Sequence, residues 1–326
     1  MAGRYMTSDI EEMAAFGAAM LTAAECEELL GKILPVGPSA TAIQKVVCRI
    51  GTELDERREE VEEAVWKDKP LSPKGDALVV SWDGVMTPMR GGPVAWREAG
   101  VATISVYRDE PEAPEKIDTR YLARMPEAGM TSLVARITDQ VARAVDAHEY
   151  REIAVICDGK SSIWNTAAEQ AVLSEATFIL DFYHASENLM NAAKAIFGDT
   201  DEAAAWHTRH REKMLIEQNG AANARRSMLR YARSLTPGSA GHRIVENCAA
   251  YFHRHRDRMR YAEFIERGLP VGSGPVEAAA KSIVQARLKR SGMHWTPSGG
   301  QHVLDLRTYL KSERWESMWN TLQAAA

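Results

Sequence analysis

The sequence predicts a mixed α/β protein, with helices flanking a β-sheet, a helical segment before it and a larger one after it. Apolar runs such as ALVVSWDG (77–84) and EIAVICDG (152–159) are typical of buried strands. Between such runs apolar residues recur at helical spacing, and residues 186–267 have the helical pattern throughout. Strands that alternate with helices build mixed or parallel sheets, so the pattern indicates the α/β class.

The first 70 residues are predicted to form a helical region of their own. Residues 8–34 have helical spacing, PVGPSA breaks the pattern, and Ser39 is placed to cap a second helix that becomes acidic after residue 53. Two helices joined by a short turn resemble a DNA-binding helix-turn-helix, although any small helical hairpin has the same pattern. The composition of residues 67–76 indicates a linker.

Residues 76–185 are predicted to form the first part of the sheet domain. VMTPMR follows the first strand as its hairpin partner, and a third strand is expected at 101–107. A helix is expected at 131–147, and the strand in ATFILD leads into a helix near Ala185. Residues 186–270 then form a helical insertion, and 271–326 form the last helices, interrupted by SGMHWTPSGG.

Composition excludes several classes of protein. No run of about 18 apolar residues is present, so a membrane span is not expected. The N-terminal residues lack a basic head followed by an apolar core, so no secretory signal is expected. The four cysteines are scattered and form no CxxC pair, which argues against a zinc ribbon or a disulfide framework and favours a reducing cytoplasm.

The charge is unevenly distributed along the chain. Residues 1–70 contain 8 Lys and Arg against 14 Asp and Glu, a balance of −6, whereas residues 205–290 contain 17 against 7, a balance of +10. Such an asymmetry indicates either a surface that faces a polyanion or a solvated helical face.

Three aspartates follow apolar strand patterns. Asp83 and Asp158 each precede a glycine at the end of such a run, and Asp181 ends FILD with His184 three residues later. Each alone could be a polar strand terminator, since Asp-Gly is a common turn. In open α/β sheets, however, functional residues collect at the carboxyl ends of strands. Neighbouring carboxylates repel each other unless a cation compensates, and oxygen ligands favour Mg²⁺ or Mn²⁺.

Glu277 is the candidate third carboxylate. It follows the loop GLPVGSGP at the head of a helical pattern, so a short movement of that helix could bring it to the sheet. Two aspartates and a glutamate can hold two divalent ions about 3.5–4 Å apart, an arrangement that serves phosphoryl transfer.

Several motifs together resemble the DDE transposases of bacterial insertion sequences, closest to the ISKra group and related to the Mutator-like transposases. The matching stretches are SWDG (81–84), ICDG (156–159), LDFYHASENL (180–189), GSGPVEAAAKSIVQARLKRSGMHW (272–295) and GGQHVLDLRTYLKSERWESMW (299–319). They extend over most of residues 76–322, and the stretch around Glu277 is the most specific of them.

The resemblance implies an RNase H-like fold with a helical insertion between the last strand and the glutamate helix. By position, Asp83, Asp158 and Glu277 resemble the three catalytic and metal-binding acids. Asp181 and His184 resemble a supporting C/D-x-x-H element, although Asp181 is the competing candidate for the second acid. Also implied are two Mg²⁺ ions, for which Mn²⁺ substitutes, double-stranded DNA as substrate, a homodimer on that DNA, and a bacterial, cytoplasmic protein associated with the nucleoid. The implied reaction is cleavage at transposon ends, followed by attack of the 3′-hydroxyl on target DNA.

The helix after Glu277 is rich in candidate DNA contacts. Cations followed by an aromatic side chain suit phosphate contact with stacking, although a solvated helix end anchored by a tryptophan has the same pattern. The candidates are Lys281, Arg287, Lys289, Arg290 and Trp295. The histidine pairs at 207/210 and 253/255 lack the cysteines or the H-E-x-x-H spacing of a zinc site, so phosphate contact is the preferred interpretation there.

Two other functions fit parts of the sequence. A truncated or host-retained transposase derivative could bind DNA without cutting it, which a short N-terminal region would favour. A two-carboxylate glycosidase is disfavoured by the basic region and by the lack of aromatic-rich sugar platforms.

Overall fold

The sheet has five strands in a mixed arrangement. The computed structural model describes residues 6–92 and 94–324. The strands are β1 (Ala77–Pro88), β2 (Trp96–Arg108), β3 (Glu115–Arg124), β4 (Glu152–Cys157) and β5 (Thr177–Leu180). Their order across the sheet is β3-β2-β1-β4-β5. The pairs β1–β2 and β2–β3 are antiparallel, whereas β1–β4 and β4–β5 are parallel.

Helices precede, interrupt and follow the sheet. Before it lie α1 (Ser8–Met20), α2 (Ala23–Ile33), α3 (Ala40–Glu56) and α4 (Arg58–Asp68). Between the strands lie α5 (Thr131–Ala147) and α6 (Ser161–Glu169). After β5 come α7 (Phe182–Phe197), α8 (Asp201–Ile216), α9 (Gly220–Ala232), α10 (Ala240–Arg254) and α11 (Tyr261–Glu266). The last are α12 (Gly274–Ala279), α13 (Ala286–Leu288), α14 (Pro297–Lys311) and α15 (Trp315–Ala324), and a π-helical stretch, Ala280–Gln285, joins α12 to α13.

Local sequence signals account for several helix boundaries. The expected cap at Ser39 is confirmed, because its hydroxyl accepts from the Ala42 amide at 3.3 Å. Thr22 and Glu25 form a reciprocal capping box at the start of α2. The expected helical character between β5 and α12 is also confirmed. In the described ranges no helix is both long and apolar enough to cross a membrane.

Two strand predictions were wrong. VMTPMR is not a hairpin partner of the first strand, because β1 continues through it to Pro88 and pairs with β2 along its whole length. Asp83 therefore lies inside β1, opposite Val101, rather than at its end. The true third strand, β3, was not predicted, since its charged residues conceal the apolar alternation that marks a strand.

Different helices cover the two faces of the sheet. Gly100 in β2 faces Leu133 of α5, and a Cβ built on this glycine would lie 2.5 Å from the leucine side chain. The adjacent residues Ala99 and Val101 point the other way and share a core with residues of α12 and α14. Side chains of β1 that share the orientation of Asp83 therefore face α12.

The N-terminal helices do not stand apart from the rest of the molecule. Helix α3 packs against α1, α2 and α14, and α4 packs against α15. Ile43, Ile50 and Leu54 of α3 belong to the same buried cluster as Val303 and Leu304 of α14. Residues 6–70 thus share a hydrophobic core with the last helices and with one face of β1–β3.

A buried ionic network fastens these parts together. Glu62 of α4 accepts hydrogen bonds from Arg120 of β3 at 2.7 Å, from Arg136 of α5 at 3.2 Å and from the Tyr309 hydroxyl of α14 at 2.8 Å. The fully buried Asp305 of α14 accepts from Arg58 at 2.9 Å and from Arg136 at 3.4 Å. The buried ionic network comprises Glu62, Asp305, Arg58, Arg120, Arg136 and Tyr309.

Burial raises the pKa values of the Glu62 and Asp305 carboxyls. The guanidinium charges outweigh this effect, principally those of Arg120 and Arg136 at Glu62 and of Arg58 and Arg136 at Asp305. Both pKa values therefore lie below their ordinary range, and both groups stay ionised inside the protein.

Candidate active site at the edge of the parallel strands

The strand register aligns three aspartates across the parallel part of the sheet. The pair Val80↔Val155 ends the β1–β4 ladder, so three further residues along each strand place Asp83 opposite Asp158. The pair Cys157↔Leu180 ends the β4–β5 ladder, so one further residue places Asp158 opposite Asp181. Asp83 shares the face of its β2 partner Val101, which is the face that α12 covers, and Asp158 and Asp181 directly follow the two neighbouring strands.

Asp83 is a half-buried carboxylate under electrostatic strain. Burial is the main cause that raises its pKa, and the negative charge of Asp158 raises it further. The Gly84 amide donates to its Oδ1 at 2.7 Å, and the positive charges of Lys160 and His184 oppose the rise in pKa. The coupling between Asp83 and Asp158 indicates that the two side chains are close to each other.

Asp158 is held by the loop that follows β4. Its Oδ1 accepts from the Lys160 amide at 2.9 Å, a local turn that orients the carboxylate. Gly159 lies against the ring of Tyr251 in α10, and a Cβ at this position would be 2.6 Å from the Tyr251 hydroxyl oxygen. The glycine is therefore required by this close approach.

Asp181 is an anchor for the loop that leads to Glu277. It is fully buried, and its two carboxylate oxygens accept from the backbone amides of His184, at 2.9 Å, and of Ser273. The Phe182 amide also donates to the Val271 carbonyl at 3.0 Å. Residues 271–273 are thereby fixed to the end of β5, only four residues before Glu277. This use of both oxygens favours Asp158 over Asp181 as the second acid.

Glu277 is half-buried on the first turn of α12, which packs against β1 and β2. Val276 and Ala279 are the buried residues of α12 that fasten it there. Among the described residues, however, no group of three or more His, Cys, Asp and Glu side chains is arranged to hold a metal ion. The structure thus pairs Asp83 with Asp158 and brings the helix of Glu277 to the same face, without assembling the three as one ligand set.

A Lys160–Glu98 ion pair lies beside the two aspartates and was not predicted. The Lys160 ammonium is 2.8 Å from the Glu98 carboxylate. Glu98 is three residues from Val101, the partner of Asp83, so its side chain leaves the opposite face of the sheet. Lys160 could have been predicted, because it lies two residues after Asp158 in the sequence. Glu98 and Tyr251 are distant in sequence, and no motif around them indicates the site.

The five candidate DNA-binding residues have different environments. Lys281 is exposed and forms no ion pair with any described residue, including Glu277. Lys289 is exposed, with its ammonium 5.7 Å from the centre of the Trp96 ring. Arg290 is exposed but pairs with Glu25 of α2, at 2.9 Å.

Arg287 and Trp295 serve the interior of the protein. Arg287 is 5% exposed, donates to the Ala18 carbonyl at 3.2 Å and lies 5.2 Å from the Trp295 ring centre. Burial is the main cause that lowers the pKa of its guanidinium, to about 10. The Trp295 indole donates to the Leu288 carbonyl at 3.1 Å. Arg287 is therefore buried, whereas Trp295 is partly buried.

The histidines have local partners. His184 lies 3.5 Å from the Glu187 carboxylate, one helical turn away. His207 contacts the Ser186 hydroxyl at 2.9 Å. His255 is buried with its ring tilted against that of Tyr251, 4.6 Å between ring centres, and neither of its ring nitrogens has a hydrogen-bond partner among the described residues. Burial is the main cause that lowers the pKa of His255, to about 4.

We expect the Asp83→Asn variant to be more stable than the wild type at neutral pH, by about 0.5–2 kcal/mol. Because the pKa of Asp83 is raised in the folded protein, ionisation lowers the free energy of unfolding as the pH rises through that range. Thermal unfolding at pH 7 and in mild acid measures the effect, which should shrink as the pH falls.

Asp146→Asn is the matched control, since Asp146 is exposed on α5 and has no ion pair with any described residue. We expect this change to leave the stability unaltered at both pH values. A lower stability of Asp83→Asn than of the wild type at pH 7 would contradict the strain assigned to this carboxylate.

Comparisons with known proteins assign this chain to no family. No model of a known protein family matches the sequence, and no curated protein gives a significant match to it.

Proposed function

We propose that the chain is a DDE transposase, which cuts DNA at transposon ends and joins the freed 3′-hydroxyl to target DNA. The observation that carries the proposal is the placement of Asp83, in β1, close to Asp158, the residue directly after the parallel strand β4; burial raises the pKa of Asp83, and the charge of Asp158 raises it further. A protein tolerates such repulsion at a cost in stability, and functional sites are where this cost is commonly found.

The topology supports the RNase H-like assignment that the resemblance implies. Three antiparallel strands in sequence are followed by two parallel strands, which add to the other side of β1. Between β5 and α12 lie the helices α7–α11, at the position where an insertion is expected. Helix α12 then returns to the sheet and packs on β2 and on β1, the strand that carries Asp83.

The residues at this edge fit a divalent cation in their chemistry. The donors are carboxylate oxygens alone, which suit Mg²⁺ and Mn²⁺, and burial together with the negative charge of Asp158 raises the pKa of Asp83. Asp83 and Asp158 would hold the metal, with Glu277 as the third ligand. When bound, the ions supply positive charge that stabilises a phosphate undergoing substitution.

The chain's own residues prepare the site for that chemistry. The Lys160 amide fixes the Asp158 carboxylate, and Tyr251 covers the backbone at Gly159. Asp181 anchors the backbone at Ser273, four residues before Glu277, and so fixes the start of α12 to the end of β5. The exposed Lys281 and Lys289, on the same helical segment, are available to contact DNA phosphates.

Strand cleavage by the purified protein tests the proposal. With Mg²⁺ or Mn²⁺, the wild type should nick duplex DNA that carries the element's terminal repeats, and Glu277→Gln should lose nicking while keeping DNA binding. The matched control is Glu266→Gln, which changes an exposed glutamate of α11. Equal nicking by Glu277→Gln and the wild type would remove Glu277 from the site.

A DNA-binding derivative without cleavage activity is the second candidate. It is favoured by the absence of a three-residue ligand set in the described part of the chain. This alternative predicts that the wild type binds terminal-repeat duplex but does not nick it at any concentration of Mg²⁺ or Mn²⁺. Gel-shift and nicking assays on the same duplex separate the two functions.

A further inference from the structure

A cleft of about 790 Å³ lies between α7 and α10, outside the carboxylate site. We call it the α7/α10 groove. Asn188, Asn191 and Lys194 of α7 line it at three-residue intervals, so they occupy one face of that helix. Asn247 and Arg254 line it from α10. The groove thus combines amides and cations from two neighbouring helices with apolar and weakly polar side chains, which are those of Ala195, Ile244, Cys248, Ala250 and Tyr251.

Its charge is of one sign. No carboxylate lines the groove, although α7 and α10 each carry a glutamate elsewhere on their surface. Asn191, Asn247 and Arg254 are exposed and form no side-chain hydrogen bond or ion pair with any described residue. Lys194 pairs with Asp199 at 3.0 Å, and an exposed pair of this kind is easily exchanged for another anion.

The groove leads away from the candidate active site. Its inner end is marked by Tyr251, which lines the groove and also lies against Gly159, the residue after Asp158. Ala195 of α7 also lines the groove, and a Cβ built on Gly241, near the start of α10, would lie 3.1 Å from the Ala195 carbonyl. The start of α10 therefore lies beside the end of α7, so the two helices run antiparallel and the groove extends outward between them.

The occupant that fits is a single strand of nucleic acid. Amides together with lysine and arginine are the side chains that position a sugar-phosphate backbone. Directly packed helices have axes only about 8–10 Å apart, so the trough between them admits one backbone and not a whole duplex. We propose that the α7/α10 groove holds the backbone of the DNA strand whose phosphate reacts beside Asp158, an inference that rests on the proposed function.

Binding to single-stranded DNA tests the groove apart from cleavage. Fluorescence anisotropy of a labelled, mixed-sequence oligonucleotide is measured with the full-length protein in EDTA, over a series of salt concentrations. We expect the double variant Asn191→Asp, Asn247→Asp to bind about tenfold more weakly, because two negative charges then face the phosphates. Arg254→Gln should lower the slope of log affinity against log salt by about 0.7, the value for one phosphate contact on a single strand.

Asn320→Asp is the matched control, since it makes the same isosteric change at an exposed position of α15. It should bind as the wild type does. Groove variants that match the wild type in affinity and salt slope would overturn the inference, as would a wild type that does not bind the single strand.

The two proposals fail in different ways. Groove variants with weakened binding, in a protein that never nicks terminal-repeat DNA, would remove the transposase and keep the strand-binding groove. Nicking by the wild type, with groove variants that bind normally, would remove the groove and keep the transposase.

Discussion

We expect the Asp158→Asn variant to cleave DNA strands more than about 100-fold more slowly than the wild type. Removing a residue that only supports a metal ligand costs up to about 100-fold, and Asp158 is proposed to be a ligand itself. The change removes one of two aligned carboxylates and relieves repulsion on Asp83. DNA binding in EDTA should not weaken, because the lost carboxylate is negatively charged and would repel the phosphates. Nicking of terminal-repeat duplex in Mn²⁺, with binding measured in parallel, checks both expectations.

Asp181→Asn provides the contrast, since the two aspartates are opposite each other but serve different purposes. Asp181 is fully buried and accepts from two backbone amides. An asparagine there offers only one acceptor oxygen, so we expect a stability loss of about 1–3 kcal/mol from the unpaired amide. If instead Asp181→Asn abolished nicking at full stability and Asp158→Asn remained active, Asp181 would be the second acid.

Removing the centre of the buried ionic network should cost more stability than any other single change considered. Glu62→Ala leaves Arg120 and Arg136 without their shared partner, and breaking a buried pair in this way costs about 3–5 kcal/mol. Urea denaturation measures the loss as a lower midpoint at nearly constant slope.

Glu63→Ala is the matched control, because Glu63 is the next residue on α4 but is exposed and, among the described residues, forms an ion pair with Lys67 alone. That change should cost about 0.3–0.5 kcal/mol. Equal losses for the two variants would mean that the network contributes no more than a surface pair.

The same network gives the wild type a defined acid sensitivity. Because the pKa values of Glu62 and Asp305 are lowered in the folded protein, their contribution to stability is complete above the ordinary carboxyl range. It is lost as the pH falls through the lowered values, where the folded protein must take up protons. The stability of Glu62→Ala should therefore fall less steeply below about pH 4.

The sequence predicted those parts of the fold that local patterns specify. Strands β4 and β5 are short apolar runs because they are buried in the sheet, and α5 has regular helical spacing. The extent of β1 could not be predicted, since Asp83-Gly84 has the composition of a turn and only pairing with β2 keeps it extended. The packing of α3 on α14 depends on residues some 250 positions apart, which no local pattern encodes.

In the candidate site, too, local patterns predicted some residues, whereas the roles of others depend on distant contacts. Asp83 and Asp158 were identifiable because each follows an apolar strand pattern. The anchoring role of Asp181 depends on Ser273, 92 residues later, and was not visible. Arg287 has the composition of a DNA contact, yet it is buried against Ala18, 269 residues earlier. A charged residue in a sequence therefore indicates an exposed binding surface only if tertiary contacts do not bury its side chain.

The core shared by the first and last helices has a consequence for synthesis on the ribosome. Helix α3 ends at residue 56 and its partner α14 begins at residue 297, so 240 residues lie between them. At about 5–20 residues per second, the apolar face of α3 waits on the order of 10–50 s for α14. The nascent chain therefore carries an unsatisfied hydrophobic surface through most of its translation, and a chaperone that binds this surface would delay aggregation until the last helices emerge.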